Sequence, residues 1–322
     1  MKPTVVIAVA DAAAPPPELR RLESTVTPVY VSTPEQFRAN SASSPVLLVW
    51  DLHTTLVHEC GPGTFAWIHT NSLGVNAVAT AEAAKAATVT NTRGLFEQPM
   101  AEFVLASILF RTKAFDRLVA QQRERVWNQQ PTGRLAGRRA LVVGAGGVGR
   151  AIAALLRAVG IEVRLVGRTR RAERGDDGSE QQIFGIDELP ELLPDADDIV
   201  LAAPLTAATR GLIGAHELAL MRPDAHVINV GRGQLLDEAA LADALRSGSI
   251  GAATLDVFAQ EPLPPESPLW GLEGVLVSPH QSADTTGWRD AAVDLFLDNH
   301  ARFERGEPLK NVVDLAALLL RG

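Results

Sequence analysis

Residues 140–149 read Ala-Leu-Val-Val-Gly-Ala-Gly-Gly-Val-Gly and lead into a helical pattern that stops at Gly160. The spacing Gly144-x-Gly146-x-x-Gly149 follows an apolar run and opens a helix, the context in which such glycines carry chemistry. Gly144 can make a tight turn, Gly146 lets backbone approach a pyrophosphate, and Gly149 lets the helix lie close on the strand. Gly147 and Val148 fall in the first helical turn, whose N–H groups attract negative charge. The pattern suits a dinucleotide; a bare structural turn is the competing reading. The next apolar run, 161–166, ends in Gly167-Arg168-Thr169-Arg170-Arg171. A carboxylate at that point would bind the ribose 2′-hydroxyl of NAD. Arg168, Thr169 and Arg170 instead suit a 2′-phosphate, because guanidinium groups grip phosphate through paired donors. NADP is therefore preferred over NAD, against the alternative of a solvated basic loop.

Open parallel sheets bind ligands beyond the carboxyl ends of their strands. Three later apolar runs place charged side chains there. One reads Val227-Ile228-Asn229-Val230-Gly231-Arg232-Gly233, and the next Leu255-Asp256-Val257-Phe258-Ala259-Gln260-Glu261-Pro262-Leu263. The last reads Val275-Leu276-Val277-Ser278-Pro279-His280-Gln281-Ser282. Arg232 between two glycines can present a rigid fork of donors to a carboxylate. His280 is a candidate acid–base, and Glu261 a candidate partner that stabilises the charged imidazole. Singly, each has a bland explanation: a surface arginine in a permissive turn, a solvated acid, a structural histidine. On adjacent strand ends beside a nucleotide turn they form a coherent set.

These residues need a scaffold of parallel strands, and the pattern supplies one. Short β-branched runs at 4–9, 26–31, 46–50, 66–70 and 88–91 alternate with helical or turn-rich stretches. A second series follows at 140–143, 161–166, 198–203, 225–230, 252–257 and 275–278. Between them, a continuous helix is expected from Met100 to about Val126, apolar nearly all round in its first half and so deeply buried. Its second half narrows to the face Phe115, Leu118, Val119 and Gln122. A last helix over about 288–305 precedes Asn311-Val312-Val313-Asp314, too short for a domain and expected to fold back on the first one. The fold class is α/β: a Rossmann-type doubly wound parallel sheet (99–287) inserted into a smaller flavodoxin-like domain (1–98 and 288–322), which would carry the substrate site.

Composition narrows the function classes. Thirty basic against 38 acidic side chains leave a net charge of −8, which argues against broad binding to nucleic acid or anionic membrane. Cys60 is the single cysteine, excluding an internal disulfide framework and multi-cysteine metal sites. His53, His58 and His69 have no metal-ligand spacing, so no metal is expected. No apolar run reaches the roughly 18 residues needed to span a bilayer. A cytoplasmic protein is the expectation.

Taken together the motifs resemble the D-isomer-specific 2-hydroxyacid dehydrogenases, the group that includes glyoxylate/hydroxypyruvate reductases and phosphoglycerate dehydrogenase. The resemblance rests on Gly144 to Gly149, Pro204-Leu205-Thr206-x-x-Thr209, Asn229-x-Gly231-Arg232-Gly233, Leu255 to Leu263 and Ser278-Pro279-His280. Asn71-Ser72-Leu73-Gly74-Val75-Asn76 and Ala101-Glu102 extend it, so that it spans residues 66–314. It implies that Arg232 binds the substrate carboxylate, with the backbone amides of Leu73 and Gly74 on its other side. His280 would be the acid–base and Glu261 its partner. Ala203, Pro204, Thr209, Val230, Gly231 and Ser282 would line the cofactor, with Asp256 near the nicotinamide amide. Departures are Asn76 in place of an aspartate, Ala283 in place of a glycine, and Arg168 in place of the NAD-type acid. The implied reaction is reduction of a small 2-oxo acid with NADPH. A formate dehydrogenase, which needs no acid to protonate an oxygen, and a nucleotide-sensing corepressor are the other readings. Trp50, Trp67, Trp127, Trp270 and Trp288 are candidates for pocket walls or packing, and the helix after Met100 points to a homodimer.

Overall fold

The computed structural model describes residues 2–51, 53–174 and 180–319. Its strands in chain order are β1 (Thr4–Ala8), β2 (Thr27–Val31), β3 (Val46–Val49), β4 (Trp67–Thr70), β5 (Thr88–Thr90), β6 (Arg139–Val143) and β7 (Glu162–Val166). There follow β8 (Arg171–Arg174), β9 (Glu180–Phe184), β10 (Asp198–Leu201), β11 (His226–Asn229), β12 (Ala252–Leu255), β13 (Val275–Val277) and β14 (Val312–Val313). The chain divides into two compact units, Met1–Phe96 with Thr285–Gly322, and Glu97–Asp284. Among the described residues no helix is long and apolar enough to cross a membrane.

The first unit holds one sheet in the order β14-β5-β4-β3-β1-β2. Strands β1 to β5 are parallel, and β14 folds back antiparallel onto β5, pairing Val312 with Thr90 and Val313 with Val89. Both faces are covered, which is why its strands read as unbroken apolar runs rather than alternating ones. Val5, Ile7, Leu48 and Trp67 pack against Val293 and Phe296 of the Trp288–Glu304 helix. Val6, Ala8, Leu47 and Ile68 line the opposite core. Trp67 is fully buried and stacks on Phe296 with ring centroids 5.2 Å apart, so it is core rather than pocket wall. His69 is buried beside it, with Nδ1 2.7 Å from Thr90 Oγ1, and burial pushes its imidazole down to about 3.

The second unit holds the sheet β13-β12-β11-β10-β6-β7-β9-β8, all parallel except the β8/β9 pair. The strand order reverses between β6 and β10, which are parallel neighbours although β7 to β9 lie on the other side of β6; this is the topological switch point at which doubly wound sheets bind nucleotides. Strands β8 and β9 were not expected. They lack an apolar run, and residues 175–179 between them lie outside the described set.

The helix expected from Met100 to about Val126 is two helices, Glu97–Thr112 and Phe115–Glu124. Ala114 between them takes a left-handed φ of 51°. The Thr112 carbonyl, which a continuous helix would offer to the next turn, instead accepts from the Gly133 amide at 3.0 Å. The first helix is also not buried all round. Val104 and Ile108 are fully buried, but Phe103, Leu105, Leu109 and Phe110 are only half-buried. The second helix leaves Phe115, Leu118 and Val119 between 42% and 45% exposed, and Trp127 beyond it is 99% exposed.

Candidate active site

The glycine turn joins β6 to the Gly147–Ala158 helix at the switch point. Gly144 has φ 127°, and a Cβ there would lie 2.5 Å from the Ala202 carbonyl oxygen at the end of β10. A Cβ on Gly149 would lie 1.7 Å from the Gly144 oxygen, so helix and strand approach as closely as backbone allows. A Cβ on Gly146 would meet nothing within 4 Å. Gly146 and Gly147 are exposed and Val148 half-buried at the helix start. Two glycines thus make the close packing, and the third leaves open space before a helix N-terminus. This cradle fits a pyrophosphate group.

Beyond β7, Arg168 and Thr169 are exposed, and among the described residues Arg168 has no ion pair. Arg170, expected beside them, is bonded to Glu188 and lies over the Phe184 ring, 5.4 Å from its centroid. Arg171 bonds Glu173, which Arg150 also grips, and that hydrogen bond holds the Glu173 carboxyl below its usual range. Arg168 and Thr169 are thus the exposed donors at this edge without such a partner, while Arg170 keeps donors beyond the one given to Glu188.

Past β10, Ala203 is buried, and Thr209 closes the loop on itself. Its hydroxyl accepts from the Thr206 amide at 2.8 Å and donates to the Pro204 carbonyl at 2.7 Å. Thr209 shapes this loop with a hydroxyl already spent, so it has little left for a ligand. Past β11, buried Asn229 folds the turn that carries Val230, Gly231 and Arg232. Its Oδ1 accepts from the Gly231 amide at 3.1 Å and its Nδ2 donates to the Arg232 carbonyl at 3.0 Å. A Cβ on Gly233 would lie 1.8 Å from the Phe258 carbonyl carbon, so the residue after Arg232 has room only for glycine. The Arg232 guanidinium donates to the Gly231 carbonyl at 2.6 Å. Burial pushes its pKa down and the nearby Glu261 charge opposes that shift. A half-desolvated guanidinium with no carboxylate bonded to it among the described residues is suited to a ligand carboxylate.

Asp256, at the end of β12, is fully buried. Its Oδ1 accepts from Ser278 Oγ at 2.5 Å and from the Gln281 amide at 2.8 Å, and its Oδ2 from the Ser282 amide at 3.0 Å. Both carboxylate oxygens are thus committed to the loop after β13, and Ser282 is one of the groups they hold. The structure gives Asp256 and Ser282 a part in building this loop; the sequence reading had placed both against the cofactor.

That loop carries His280, whose backbone is left-handed with φ 53° and whose amide donates to the Asp256 carbonyl at 2.8 Å. His280 Nδ1 lies 2.7 Å from Glu261 Oε2. An ionised carboxylate only accepts, so Nδ1 is the donor and Nε2 faces away from Glu261. Glu261 is itself held, its Oε1 accepting from the Phe258 amide at 2.9 Å. The imidazole is half exposed. His280 and Glu261 are in direct contact, and Arg232 lies within the reach of Glu261's charge.

Leu73 and Gly74 lie in the first unit, in the loop after β4. The Gly74 amide already donates to Ser72 Oγ at 3.0 Å, whereas the Leu73 amide has no partner among the described residues. The side chain of Asn76 lies outside the described residues. Asn229, Ser278 and Ser72 were missed as site-builders. An Asn or Ser two residues before a turn amide is the signal that could have found Asn229 and Ser72.

Residues 105–282 match the family model described as the NAD-binding domain of the D-isomer specific 2-hydroxyacid dehydrogenases. A glyoxylate reductase of Korarchaeum cryptofilum is 32% identical over 243 residues, 72% of this chain and 71% of that protein. Matched spans of the curated relatives range from 25% to 71% of their own lengths. A D-isomer specific 2-hydroxyacid dehydrogenase family protein of Aeromonas salmonicida has a solved structure with a TM-score of 0.81. It is 30% identical, and the comparison covers 98% of this chain and all of that one. A probable 2-hydroxyacid dehydrogenase of Rhizobium etli, solved with NADP, gives a TM-score of 0.82 at 27% identity, covering 98% of this chain and 99% of that one.

Proposed function

The chain belongs to the D-isomer-specific 2-hydroxyacid dehydrogenase family, and from that premise we propose that it is an NAD(P)-dependent oxidoreductase reducing a small 2-oxo acid of the glyoxylate/hydroxypyruvate kind. Its preferred cofactor in this reading is NADPH, and its proton donor is His280. The observation that carries the reading is the 2.7 Å contact between His280 Nδ1 and Glu261 Oε2. It fixes one imidazole nitrogen and frees the other on the strand edge that also carries Arg232.

The glycine turn from Gly144 to Gly149 would hold the cofactor pyrophosphate, with Arg168 and Thr169 on a 2′-phosphate. A bound reduced nicotinamide supplies hydride to the carbonyl carbon. The protein's own residues do the rest. Arg232 pairs with the substrate carboxylate and so orients the adjacent carbonyl; the Leu73 amide is the proposed second donor to that carboxylate. Protonated His280 hydrogen-bonds the carbonyl oxygen through Nε2 and delivers the proton as charge develops there. Glu261 stabilises the imidazolium before transfer and keeps the ring in register. General acid catalysis of this type is worth roughly 10²–10⁴-fold. The glyoxylate reductase of Korarchaeum cryptofilum and the NADP complex of the Rhizobium etli protein support the substrate and cofactor classes. A second copy of the chain is the proposed cover for the apolar face of the Phe115–Glu124 helix, and the cytoplasm the proposed setting.

The test is a panel of 2-oxo acids assayed with NADPH and NADH. The expected outcome is turnover of glyoxylate or hydroxypyruvate, reduced roughly 10²-fold or more in His280→Ala with cofactor affinity kept. Absence of turnover on every acid with both cofactors would overturn the reading.

A further inference from the structure

We propose that Asn91, fastened by Asn311, is the positioning residue for the loop at residues 71–75, setting the direction of the Leu73 amide, the open donor that the proposed reading assigns to the substrate carboxylate. The proposal rests on the reading of that loop as carboxylate-binding. Two successive peptide planes in the loop are gripped from the chain that leaves β5. The Ser72 carbonyl accepts from the Thr92 amide at 3.2 Å, and the Leu73 carbonyl accepts from Asn91 Nδ2 at 2.9 Å. A trans peptide unit is planar, and its C=O and N–H point to opposite sides. Holding the Ser72 oxygen therefore aims the Leu73 N–H, and holding the Leu73 oxygen aims the Gly74 N–H. Ser72 Oγ takes the Gly74 N–H at 3.0 Å, so the second plane is pinned at both ends.

Asn91 is itself held on several sides. Its Oδ1 accepts from the Arg93 amide at 3.2 Å, which orients the side-chain amide so that Nδ2 faces Leu73. Its backbone amide donates to the Asn311 carbonyl at 3.2 Å, and its carbonyl accepts from Asn311 Nδ2 at 3.3 Å. Asn311 Nδ2 also donates to the Arg93 carbonyl at 2.6 Å, from a left-handed backbone with φ 57°. Lys310, one residue before it, is gripped by fully buried Asn299, which accepts from the Lys310 amide at 2.8 Å and donates to its carbonyl at 3.1 Å. A line of side-chain amides thus runs from the Trp288–Glu304 helix through the tail to the substrate loop. Each link is a neutral hydrogen bond, a kind whose loss is felt where precise placement of a donor decides binding.

The discriminating variant is Asn91→Asp in the full chain. Aspartate keeps the size, the backbone bonds and the acceptor for the Arg93 amide, but sets an acceptor against the Leu73 carbonyl. The expected result is a rise of about tenfold in KM for the 2-oxo acid, with a smaller fall in kcat. The Kd for reduced cofactor should stay unchanged, since a loss of fold would weaken both. Asn311→Gly keeps the left-handed backbone and removes the amide, and should raise the same KM about threefold. Arg232→Ala serves as the control. If Arg232→Ala raises KM while Asn91→Asp and Asn311→Gly leave it at the wild-type value, the positioning role is overturned and the carboxylate reading stands. If the wild type reduces no 2-oxo acid, or Arg232→Ala changes nothing, the reading fails and takes the proposal with it. Should Asn91→Asp not fold, an unchanged KM in Asn311→Gly overturns the proposal by itself.

Discussion

At the scale of single residues, the site is defined by which polar atoms are already spent. Asp256 and Thr209 look in the sequence like ligand contacts, yet their side-chain oxygens are taken by the Ser278 hydroxyl and loop amides and by the Pro204 carbonyl respectively, while Arg170 gives one donor to Glu188. Arg168 is exposed and without an ion pair among the described residues, so in the proposed reading selection of a 2′-phosphate would fall on it. Arg168→Asp is expected to reverse the preference, lowering kcat/KM with NADPH by about 10²-fold while that with NADH holds or rises. Steady-state kinetics with both cofactors measure this, and an unchanged ratio would remove Arg168 from the role. Arg232, Glu261 and His280 could be picked out from the sequence because charged residues after apolar runs land on one sheet edge. The pairing of Glu261 with His280 was expected from the resemblance, but the geometry that points Nδ1 at Glu261 was not legible, because it depends on how the proline-rich loop after β12 folds back.

At the scale of elements, the strands were largely visible, since buried parallel strands are short β-branched runs that no amphipathic helix would contain. β8 and β9 escaped because an edge hairpin written Arg171-Ala172-Glu173-Arg174 carries no such run. The break at Ala114 also left no trace, because Gly133, which donates to the Thr112 carbonyl and accepts from Lys113 Nζ, lies 20 residues beyond Lys113 in the chain. β4 and β5 place His69 in a dry aromatic cluster, where burial lowers its pKa from 6.5 to about 3, and burial also lowers His300. Between those two pH values the unfolded chain binds a proton at His69 that the native chain refuses. Stability from this group is therefore complete above pH 6.5 and is lost as pH falls toward 3. Thermal melts at stepped pH should show that His69→Phe narrows its stability gap to the wild type, or passes it, on acidification across that window. A gap that stays constant would contradict the account.

At the scale of the whole molecule, Phe115, Leu118 and Val119 are large apolar side chains left exposed on one helix, with exposed Trp127 shortly after it, and contiguous apolar surface of this kind marks interaction sites. Phe115, Leu118 and Val119 share one face by helical spacing, so paired charges there should act together. Leu118→Asp combined with Val119→Asp is expected to convert a species of twice the chain mass into one of single mass, read by sedimentation equilibrium. A wild type that sediments as a single chain would refute the dimer. A short apolar tail follows a complete set of strands and helices, and β14 returns to β5 as that tail suggested.

The return of the tail has a consequence for how the polypeptide is made. Asn91 and Asn311 are 220 residues apart, and ribosomes add about 5–20 residues each second. For roughly 10–40 seconds at that pace, β5 emerges with its outer edge unpaired, open to any other extended segment nearby. The early sheet must wait for β14 while the whole unit Glu97–Asp284 is translated, so the loop at residues 71–75 gains its fastening through Asn311 only after that unit has been made.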